Sequence, residues 1–399
     1  MAVVIKGSGS IEGSTGLEMG ANGATEIRGQ VNVAVGSSVA GVSTATNFAS
    51  TLIPTSNRNL IINGAMNFNQ RGGTTTSDNV YQLDRWHIYS NPSAKHTVSQ
   101  DTETPVGFKY SMKWTSASAY TPSSGNYFYT GQRIEGHHWD KMEYGTANAK
   151  TCTISFWARS SITGTWSGIV KNNAQDRTYP WEYTISSADT WEYKTVTVPG
   201  CTDGTWLSGN SAGAWIYFCI GSTTSGTTYL GSANSWQNTN LIGTTGSNSL
   251  VNTNAATLYI TGVQVEEGSA ATSFEHRNYA EELLRCRRYY QVLIEGDSGG
   301  SEKTFGNAVC YNSTSLHLAV KLDPEMRTTP TADFDTGTDY YKVFANNASD
   351  SFNAFTVAGN STNRVADIYA DSGVSTTAGA PGLLRTANAS AKIAFQAEL

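Results

Sequence analysis

Apolar and polar residues alternate with a period of two over most of the chain, and this pattern predicts strands. The run CTISFWARS puts apolar side chains on one face and Trp157 on the other. Similar runs recur as WEYKTVTVPG, GAWIYFCIGS and TLYITGVQVEEG, and Asn63-Gly64 is a strong turn signal. About eight to ten short strands, with turn residues every 8–12 positions or so, favour a sandwich or jelly roll over residues 58–277.

One stretch has a helical period instead. Asn278 opens it as an N-cap, Glu281 follows three residues later, and acidic residues precede basic ones along the segment. An apolar stripe falls at i, i+4, i+7 and i+11, on Tyr279, Leu283, Cys286 and Tyr290. We therefore predict a linking helix over residues 278–291 and interpret it as a hinge between two β-rich regions.

The alternation returns over residues 292–399, in runs such as SLHLAVKL and AKIAFQAEL. This smaller C-terminal β domain has few bulky core residues, and association often stabilises such domains. Residues 1–57 contain almost no large apolar side chains and cannot fold alone. We expect an extended N-terminal arm that a neighbouring chain holds in order, with a floppy linker as the alternative. The predicted fold is all-β: arm, jelly-roll sandwich, one short helix and a second β domain.

Composition limits the functional classes. Charged residues make up 15% of the chain, against roughly 25% in an average soluble domain, and the formal net charge is −6. This balance argues against a nucleic-acid partner, because phosphate binding needs a concentrated basic face. The five cysteines lack CxxC spacing, so we expect buried free thiols. We find no long apolar run or signal-peptide core and expect a soluble chain without membrane insertion, made in a reducing cytosol.

No catalytic or metal-binding constellation is apparent. His137-His138, with Asp140 and Glu143 nearby, has suitable residue types for a metal, but adjacent histidines on a strand point to opposite faces. A glycosidase needs two carboxylates at a defined separation, which the sequence does not reveal. We therefore predict no enzyme activity, no metal ligands and no cofactor. A structural Ca²⁺ is compatible with a sandwich, but no motif supports one.

Aromatic residues are abundant in polar, turn-rich segments, with 10 Trp and 20 Tyr in the chain. Flat aromatic rings stack on the C–H faces of sugars, while neighbouring polar side chains bond the hydroxyls. The candidate carbohydrate-binding residues are Trp166, Tyr179, Trp181, Trp206 and Trp236. Trp166, Trp206 and Trp236 lie among small polar residues and are expected to be the more exposed. Trp157 and Trp215 lie inside strand patterns, and we assign them to sheet packing.

Several motifs, taken in their order along the chain, also resemble those of a known family. The motifs are NLIINGAMNFNQRG, LDRW, QRIEG, ISFWAR, TWEYKTVTVPGCTDGTW, TGVQVEEGSAATSFEHR, EELLRCRRYY, MRTTPT and the final AEL. Over about residues 58 to 330 the chain resembles the carbohydrate-binding-like jelly-roll domain of phage tail fibres and related virion appendages, especially those of phages infecting cyanobacteria and other aquatic bacteria. Most of the motif residues are turn glycines and core tryptophans, so they indicate a domain type more than a ligand.

The resemblance implies a virion fibre that is synthesised in the host cytoplasm and mediates attachment by binding a host surface glycan. It also implies a homotrimer whose arm, residues 1–57, docks on other virion proteins. In a parallel trimer, the stripe Tyr279, Leu283, Cys286 and Tyr290 would meet on the axis; alternatively, it covers the sandwich of its own chain. Other functions compatible with the sequence are a capsid decoration or structural fibre protein without ligand, a polysaccharide-degrading tailspike, and a secreted bacterial sugar-binding module.

Overall fold

The computed structural model describes residues 57–222, 229–297, 299–300 and 302–399. The predicted arm, residues 1–57, lies outside the described residues except for Asn57. No helix in the described residues is long and apolar enough to cross a membrane. The five cysteines are free and buried, which confirms the prediction for the thiols.

The first β region is built almost entirely of strands. In chain order these are β1 (Thr74–Thr75), β2 (Val80–Tyr81), β3 (His87–Asn91), β4 (His96–Asp101), β5 (Ser111–Ser116), β6 (Tyr127–Glu135), β7 (Cys152–Ser160), β8 (Gly164–Lys171), β9 (Thr178–Ile185), β10 (Glu192–Val198), β11 (Ala212–Ser222), β12 (Leu230–Gly231), β13 (Gly243–Thr244) and β14 (Thr257–Glu267). A single helical turn, α1 (Gly136–Trp139), and the 3-10 turns Asp140–Met142 and Leu250–Asn252 interrupt them.

Two six-stranded sheets form the sandwich. Sheet I has the order β1-β4-β5-β14-β7-β10, and sheet II has the order β2-β3-β6-β11-β8-β9. All the strand pairs within these two sheets are antiparallel. Because consecutive strands of the chain repeatedly cross from one sheet to the other, the region is a jelly roll. The predicted fold class is confirmed.

The core lies between the two sheets and follows the period of two. In β7 the inward residues Ile154, Phe156 and Ala158 have no exposed surface, whereas Trp157 is half-buried on the outer face. The opening loop docks on this core: Asn63 adopts a left-handed φ of 58°, and its carbonyl oxygen accepts a hydrogen bond from Met66 N at 3.0 Å. The turn predicted at Asn63-Gly64 is thus confirmed.

The second β region begins after α2 (Tyr279–Arg287). Its strands are β15 (Tyr290–Glu295), β16 (Thr304–Cys310), β17 (Leu316–Lys321), β18 (Thr331–Phe334), β19 (Tyr341–Ala345), β20 (Ala348–Phe352), β21 (Thr356–Val357), β22 (Val365–Ala370), β23 (Pro381–Thr386) and β24 (Lys392–Gln396). They form a three-stranded sheet, β15-β24-β18, and a seven-stranded sheet, β20-β19-β23-β16-β17-β22-β21. Buried aromatic residues, including Tyr341 and Phe395, fill the space between.

Helix α2 is shorter than predicted. Asn278 caps it as expected, since its side chain accepts a hydrogen bond from Ala280 N at 2.9 Å. The helix ends at Arg287, and Tyr290 already belongs to β15, which pairs with β24. The C-terminal limit of 291 was wrong because pairing with a strand about a hundred residues away overrides the local helical pattern.

The apolar stripe packs on its own chain rather than on a trimer axis. Cys286 lies in a buried cluster with Ile62 and Phe68, and Tyr290 has no exposed surface. Leu283 is half-buried against the same cluster, and Tyr279, although 68% exposed, packs its ring at a tilt against Phe68, with the ring centroids 4.8 Å apart. A trimer seam through all four residues is therefore wrong, because two of them have no surface to offer a neighbour. This packing holds α2 on the sandwich, and the hinge interpretation stays a prediction.

Buried ion pairs join the two β regions. The Arg85 side chain, only 2% exposed, forms an ion pair with Glu398 near the end of the chain, and its guanidinium lies 3.6 Å from the Tyr289 ring centroid. Glu135 of sheet II accepts hydrogen bonds from Arg288 Nη2 at 2.6 Å and from the Tyr289 hydroxyl at 2.5 Å. These contacts connect the end of β24 and the start of β15 to the jelly roll.

Candidate functional site

Three of the five predicted sugar-binding residues lie in the core. Trp166 and Trp181 have no exposed surface, and Tyr179 is only 4% exposed. All three belong to the inward-facing set of β8 or β9, because alternate strand residues turn towards the opposite sheet. The expectation that Trp166 is exposed was wrong: the small neighbours in GTWSG reflect tight packing, and a Cβ on Gly168 would lie 2.2 Å from the Trp181 ring.

The structure brings Tyr179, Trp206 and Trp236 together at one end of the sandwich. We call this group the loop cluster. Trp206 and Trp236 are half-buried and meet edge to face at 5.8 Å, and Tyr179 lies 5.3 Å from Trp236. The Trp206 indole donates to the Asp203 carbonyl at 3.1 Å, and the Trp236 indole donates to the Pro199 carbonyl at 3.0 Å. Both indole donors therefore fix loops, and the cluster offers a ligand only parts of its rings.

A second aromatic group covers the outer face of sheet II. We call it the tyrosine face and define it as Tyr89, Tyr127, Tyr129, Trp215 and Tyr229. The strand register places these residues side by side: Tyr89 is opposite Tyr129, and Trp215 lies between Arg133 and Lys171. Their inward-pointing neighbours, such as Phe128 and Ile216, belong to the sandwich core. The period of two thus gives sheet II an apolar inner face and an aromatic outer face.

The tyrosine face has a buried floor and a partly exposed upper layer. Tyr129 and Trp215 are only 7% and 5% exposed, whereas Tyr89, Tyr127 and Tyr229 are half-buried. Tyr89 stacks on Tyr129 at 4.6 Å and lies nearly parallel to Trp215 at 6.4 Å. Tyr127 and Tyr229 meet edge to face at 5.9 Å. Packing from below fixes these rings, so little side-chain entropy is lost when a ligand stacks on them.

Polar groups border the rings. Asp78 accepts a hydrogen bond from the Tyr127 hydroxyl at 3.4 Å, and Arg133 donates to the Tyr89 hydroxyl. The Trp215 indole donates to Asn173 Oδ1 at 3.3 Å. Burial raises the pKa of the Tyr89 and Tyr127 hydroxyls, so both are neutral donors and acceptors at ordinary pH. Flat rings beside neutral hydroxyls, an amide and a carboxylate suit a sugar ligand.

Lys171 lies buried beneath the tyrosine face. Its ammonium group has no exposed surface, donates to Gln175 Oε1 at 2.8 Å and Asn240 Oδ1 at 2.9 Å, and lies 4.6 Å from the Trp215 ring centroid. Burial, with a smaller contribution from the Arg133 charge, lowers the pKa of Lys171 to about 7. A neutral amine still donates both hydrogen bonds, so the contacts persist when the proton leaves.

This shift predicts a pH-dependent stability. Between pH 7 and the ordinary pKa near 10.5, the unfolded chain binds a proton that the folded chain lacks, so the free energy of unfolding rises with pH by up to about 1.4 kcal/mol per pH unit. Below pH 7 Lys171 is protonated in both the folded and the unfolded chain, so its contribution to the free energy of unfolding no longer changes with pH. We expect urea unfolding from pH 7 to 8.5 to show the rise in the wild type and a smaller slope in Lys171→Met. Equal slopes in the two proteins would contradict the assignment.

Sequence reasoning missed most of the tyrosine face. Tyr89 and Tyr127 were not selected, and Trp215 was assigned to sheet packing alone. The runs YFYTGQRIE and GAWIYFCIGS nevertheless hold a usable signal, since Tyr127 and Tyr129, like Trp215 and Tyr217, are two residues apart. Aromatic residues at this spacing share a face opposite to the aliphatic set.

His137 and His138 do not lie on a strand as expected, because both belong to the helical turn α1. They line a cavity of about 270 Å³ together with Lys141 and Arg285. Positive side chains around this cavity oppose a metal cation. Among residues 57–222, 229–297, 299–300 and 302–399, no three His, Cys, Asp or Glu side chains are grouped to hold a metal ion.

No protein-family model and no curated protein matches the chain. Several solved structures are similar to it. A carbohydrate-binding module described as CBM4 is 18% identical, with a TM-score of 0.29, and the match covers 52% of this chain and 98% of that one. The tandem CBM22-1–CBM22-2 domain of Paenibacillus barcinonensis Xyn10C is 10% identical, with a TM-score of 0.27, over 86% of this chain and 98% of that one.

The enzymatically active domain of tailspike protein 4 from bacteriophage CBA120 is also similar, at 15% identity and a TM-score of 0.30. That match covers 53% of this chain but only 21% of the tailspike domain. Carbohydrate-binding modules and a phage tailspike domain are thus among the solved structures that are similar to this chain. Identities this low concern the fold alone, which the strand order of the two sheets already defines.

Proposed function

We propose that this chain is a non-enzymatic glycan-binding protein and that the tyrosine face holds the glycan. The observation that carries the proposal is the set of three half-buried tyrosines, fixed from below by Tyr129 and Trp215 and bordered by Asp78, Asn173 and Arg133. Such rings stack on sugar rings, and the bordering groups exchange hydrogen bonds with sugar hydroxyls. The loop cluster is the second candidate, because Trp206 and Trp236 keep part of their rings exposed.

The side chains of the tyrosine face favour glycan binding over glycan hydrolysis. Glycosidases act through two carboxylates about 5–10 Å apart across the scissile bond. The carboxylate that contacts the tyrosines, Asp78, accepts hydrogen bonds from Ser90 N at 2.6 Å and from the Tyr127 hydroxyl. These two hydrogen bonds hold the Asp78 carboxylate beside the Tyr127 hydroxyl, in a position to accept a hydrogen bond from a sugar hydroxyl.

We further propose that the protein is a homotrimeric virion fibre mediating host attachment, with residues 1–57 bound to other virion proteins. Two features of the sequence support this proposal: the series of motifs along residues 58–330 and the low content of charged residues. Three weak sites held together gain avidity without new contacts. Light scattering on the full chain and on a variant lacking residues 1–57 tests this assembly: a trimer is expected in both, and a monomer at every concentration would refute the fibre.

Removing one ring from the tyrosine face tests the binding site. Tyr127→Ala and Tyr89→Ala should each weaken binding to an array of immobilised polysaccharides by about tenfold or more, because a stacked ring contributes about 1–3 kcal/mol. Tyr193→Ala is the matched control, since Tyr193 is 44% exposed on β10 at the opposite sheet. Its affinity should be unchanged.

The same array separates the two candidate sites. Loss of affinity in Trp206→Ala, with Tyr127→Ala and Tyr89→Ala unchanged, would move the site to the loop cluster. Circular dichroism of each variant confirms that the fold is retained. A loss of binding is then caused by the missing side chain and not by unfolding.

A further inference from the structure

A cleft of about 720 Å³ lies between sheet II and the C-terminal β region. Its charged lining residues are Arg71, Arg133, Arg327, Lys392, Asp333 and Glu398. Four are cationic and two are acidic, whereas the whole chain carries a formal net charge of −6. The sign of the cleft is therefore opposite to that of the protein.

Two of the four cations are matched by carboxylates. Arg71 pairs with Glu398 at 3.1 Å, and Lys392 pairs with Asp333 at 3.1 Å. In the described part of the chain, Arg133 and Arg327 have no carboxylate side chain within 4 Å. These two positive charges are not cancelled by any neighbouring acidic side chain.

Arg327 and Arg133 instead donate to backbone and hydroxyl oxygen atoms. Arg327 donates to the backbone carbonyls of Ala397 at 2.7 Å, Asn210 at 2.9 Å and Glu398 at 2.6 Å. Arg133 donates to the Tyr89 hydroxyl and to the Leu399 carbonyl oxygen. The backbone carbonyls orient the Arg327 guanidinium but leave its charge to be balanced from the cleft.

The cleft is continuous with the tyrosine face. Arg133 lines the cleft, and its guanidinium carbon lies 4.1 Å from the Trp215 ring centroid. His87 also lines the cleft, and its ring meets the edge of Tyr89 at 4.1 Å. Arg133 and His87 therefore join the cleft to the tyrosine face, and Thr329 and Thr331 also line the cleft.

We infer that the bound glycan is anionic and that its carboxylate or sulfate groups enter this cleft beside Arg133 and Arg327. The inference rests on the proposed function and names its ligand class. A guanidinium group binds carboxylate or sulfate oxygen pairs through charge-assisted hydrogen bonds, which are stronger than bonds between neutral groups. The tyrosine face supplies stacking, and the cleft supplies the selection for charge.

The test adds negative charge at the cleft without removing a structural arginine. Thr329 and Thr331 are exposed and line the cleft, so Thr329→Glu and Thr331→Glu place a carboxylate there. Thr356→Glu makes the same charge change at an exposed position outside the cleft lining. The probes are alginate with its carboxyl-reduced form and dextran sulfate with dextran, each titrated into the full chain.

At least one anionic polymer should bind about tenfold or more tighter than its neutral counterpart, and the two pairs distinguish carboxylate from sulfate. Each cleft variant should weaken that binding about fivefold, the effect of one like charge at close range, while Thr356→Glu should not. If neutral and anionic polymers bind equally well and Tyr127→Ala still weakens their binding, the anionic inference is overturned. The glycan-binding proposal is then left intact. Failure of every polysaccharide to bind, in this series and on the array, would overturn both.

Discussion

Replacing Glu398 with leucine is expected to lower the free energy of unfolding by about 3–5 kcal/mol. Glu398 forms ion pairs with Arg85 and Arg71, and its side chain is only 8% exposed. The Arg85 guanidinium is almost fully buried, so removing its partner leaves an uncompensated charge in a medium of low dielectric constant. Urea unfolding of the full chain measures the loss.

Two further variants isolate the buried charge. Glu325→Leu breaks the Arg364–Glu325 pair, whose side chains are 75% and 46% exposed, and should cost less than about 1 kcal/mol. Combining Glu398→Leu with Arg85→Met should recover most of the lost stability, because the isolated buried charge is then absent. Similar small losses in Glu398→Leu and Glu325→Leu would show that Glu398 does not stabilise the junction between the two β regions.

Asn63→Ala is expected to destabilise the jelly roll by about 3–5 kcal/mol. The Asn63 side chain, 1% exposed, donates to the carbonyls of Phe68 at 2.8 Å and Asp84 at 3.0 Å, and accepts from Phe68 N at 3.0 Å. Alanine would leave these buried groups without partners, each costing about 1–3 kcal/mol. It would also adopt the left-handed backbone less readily than asparagine does.

Asn79→Ala separates the loss of hydrogen bonds from the cost of placing alanine in a left-handed backbone conformation. Asn79 has nearly the same backbone conformation, with φ of 56°, but is exposed and makes no side-chain hydrogen bond to a described residue. Its replacement should cost about 1 kcal/mol. A loss no larger in Asn63→Ala than in Asn79→Ala, measured by the same urea titration, would show that the hydrogen bonds of the opening loop are not stabilising.

The sheets were predictable from sequence, but the tyrosine face was not. A period of two shows which residues share a face, and it correctly predicted the four strands β7, β10, β11 and β14, although the region has fourteen strands instead of eight to ten. It does not show which face is the core when both faces are covered. Every residue of β11 is buried, because the core covers one side while aromatic rings and the 229–244 segment cover the other. Trp215 therefore resembles a core residue in the sequence.

Contacts between distant residues account for the other differences. Trp166 and Trp181 were chosen for the density of aromatic residues around them, and only the sheet pairing shows that they point inward. The end of α2 depends on the pairing of β15 with β24, and the cleft depends on contacts such as Arg85 with Glu398, which are 313 residues apart. No local pattern records such a pairing.

Hydroxyl-radical footprinting of the full chain, with and without a polysaccharide that binds on the array, tests the central claim most directly. The proposed site predicts that the ligand lowers the oxidation of Tyr89, Tyr127 and Tyr229 and leaves Trp157 and Tyr193 on sheet I unchanged. Protection confined to Trp206 and Trp236, or to the outer face of sheet I, would contradict it.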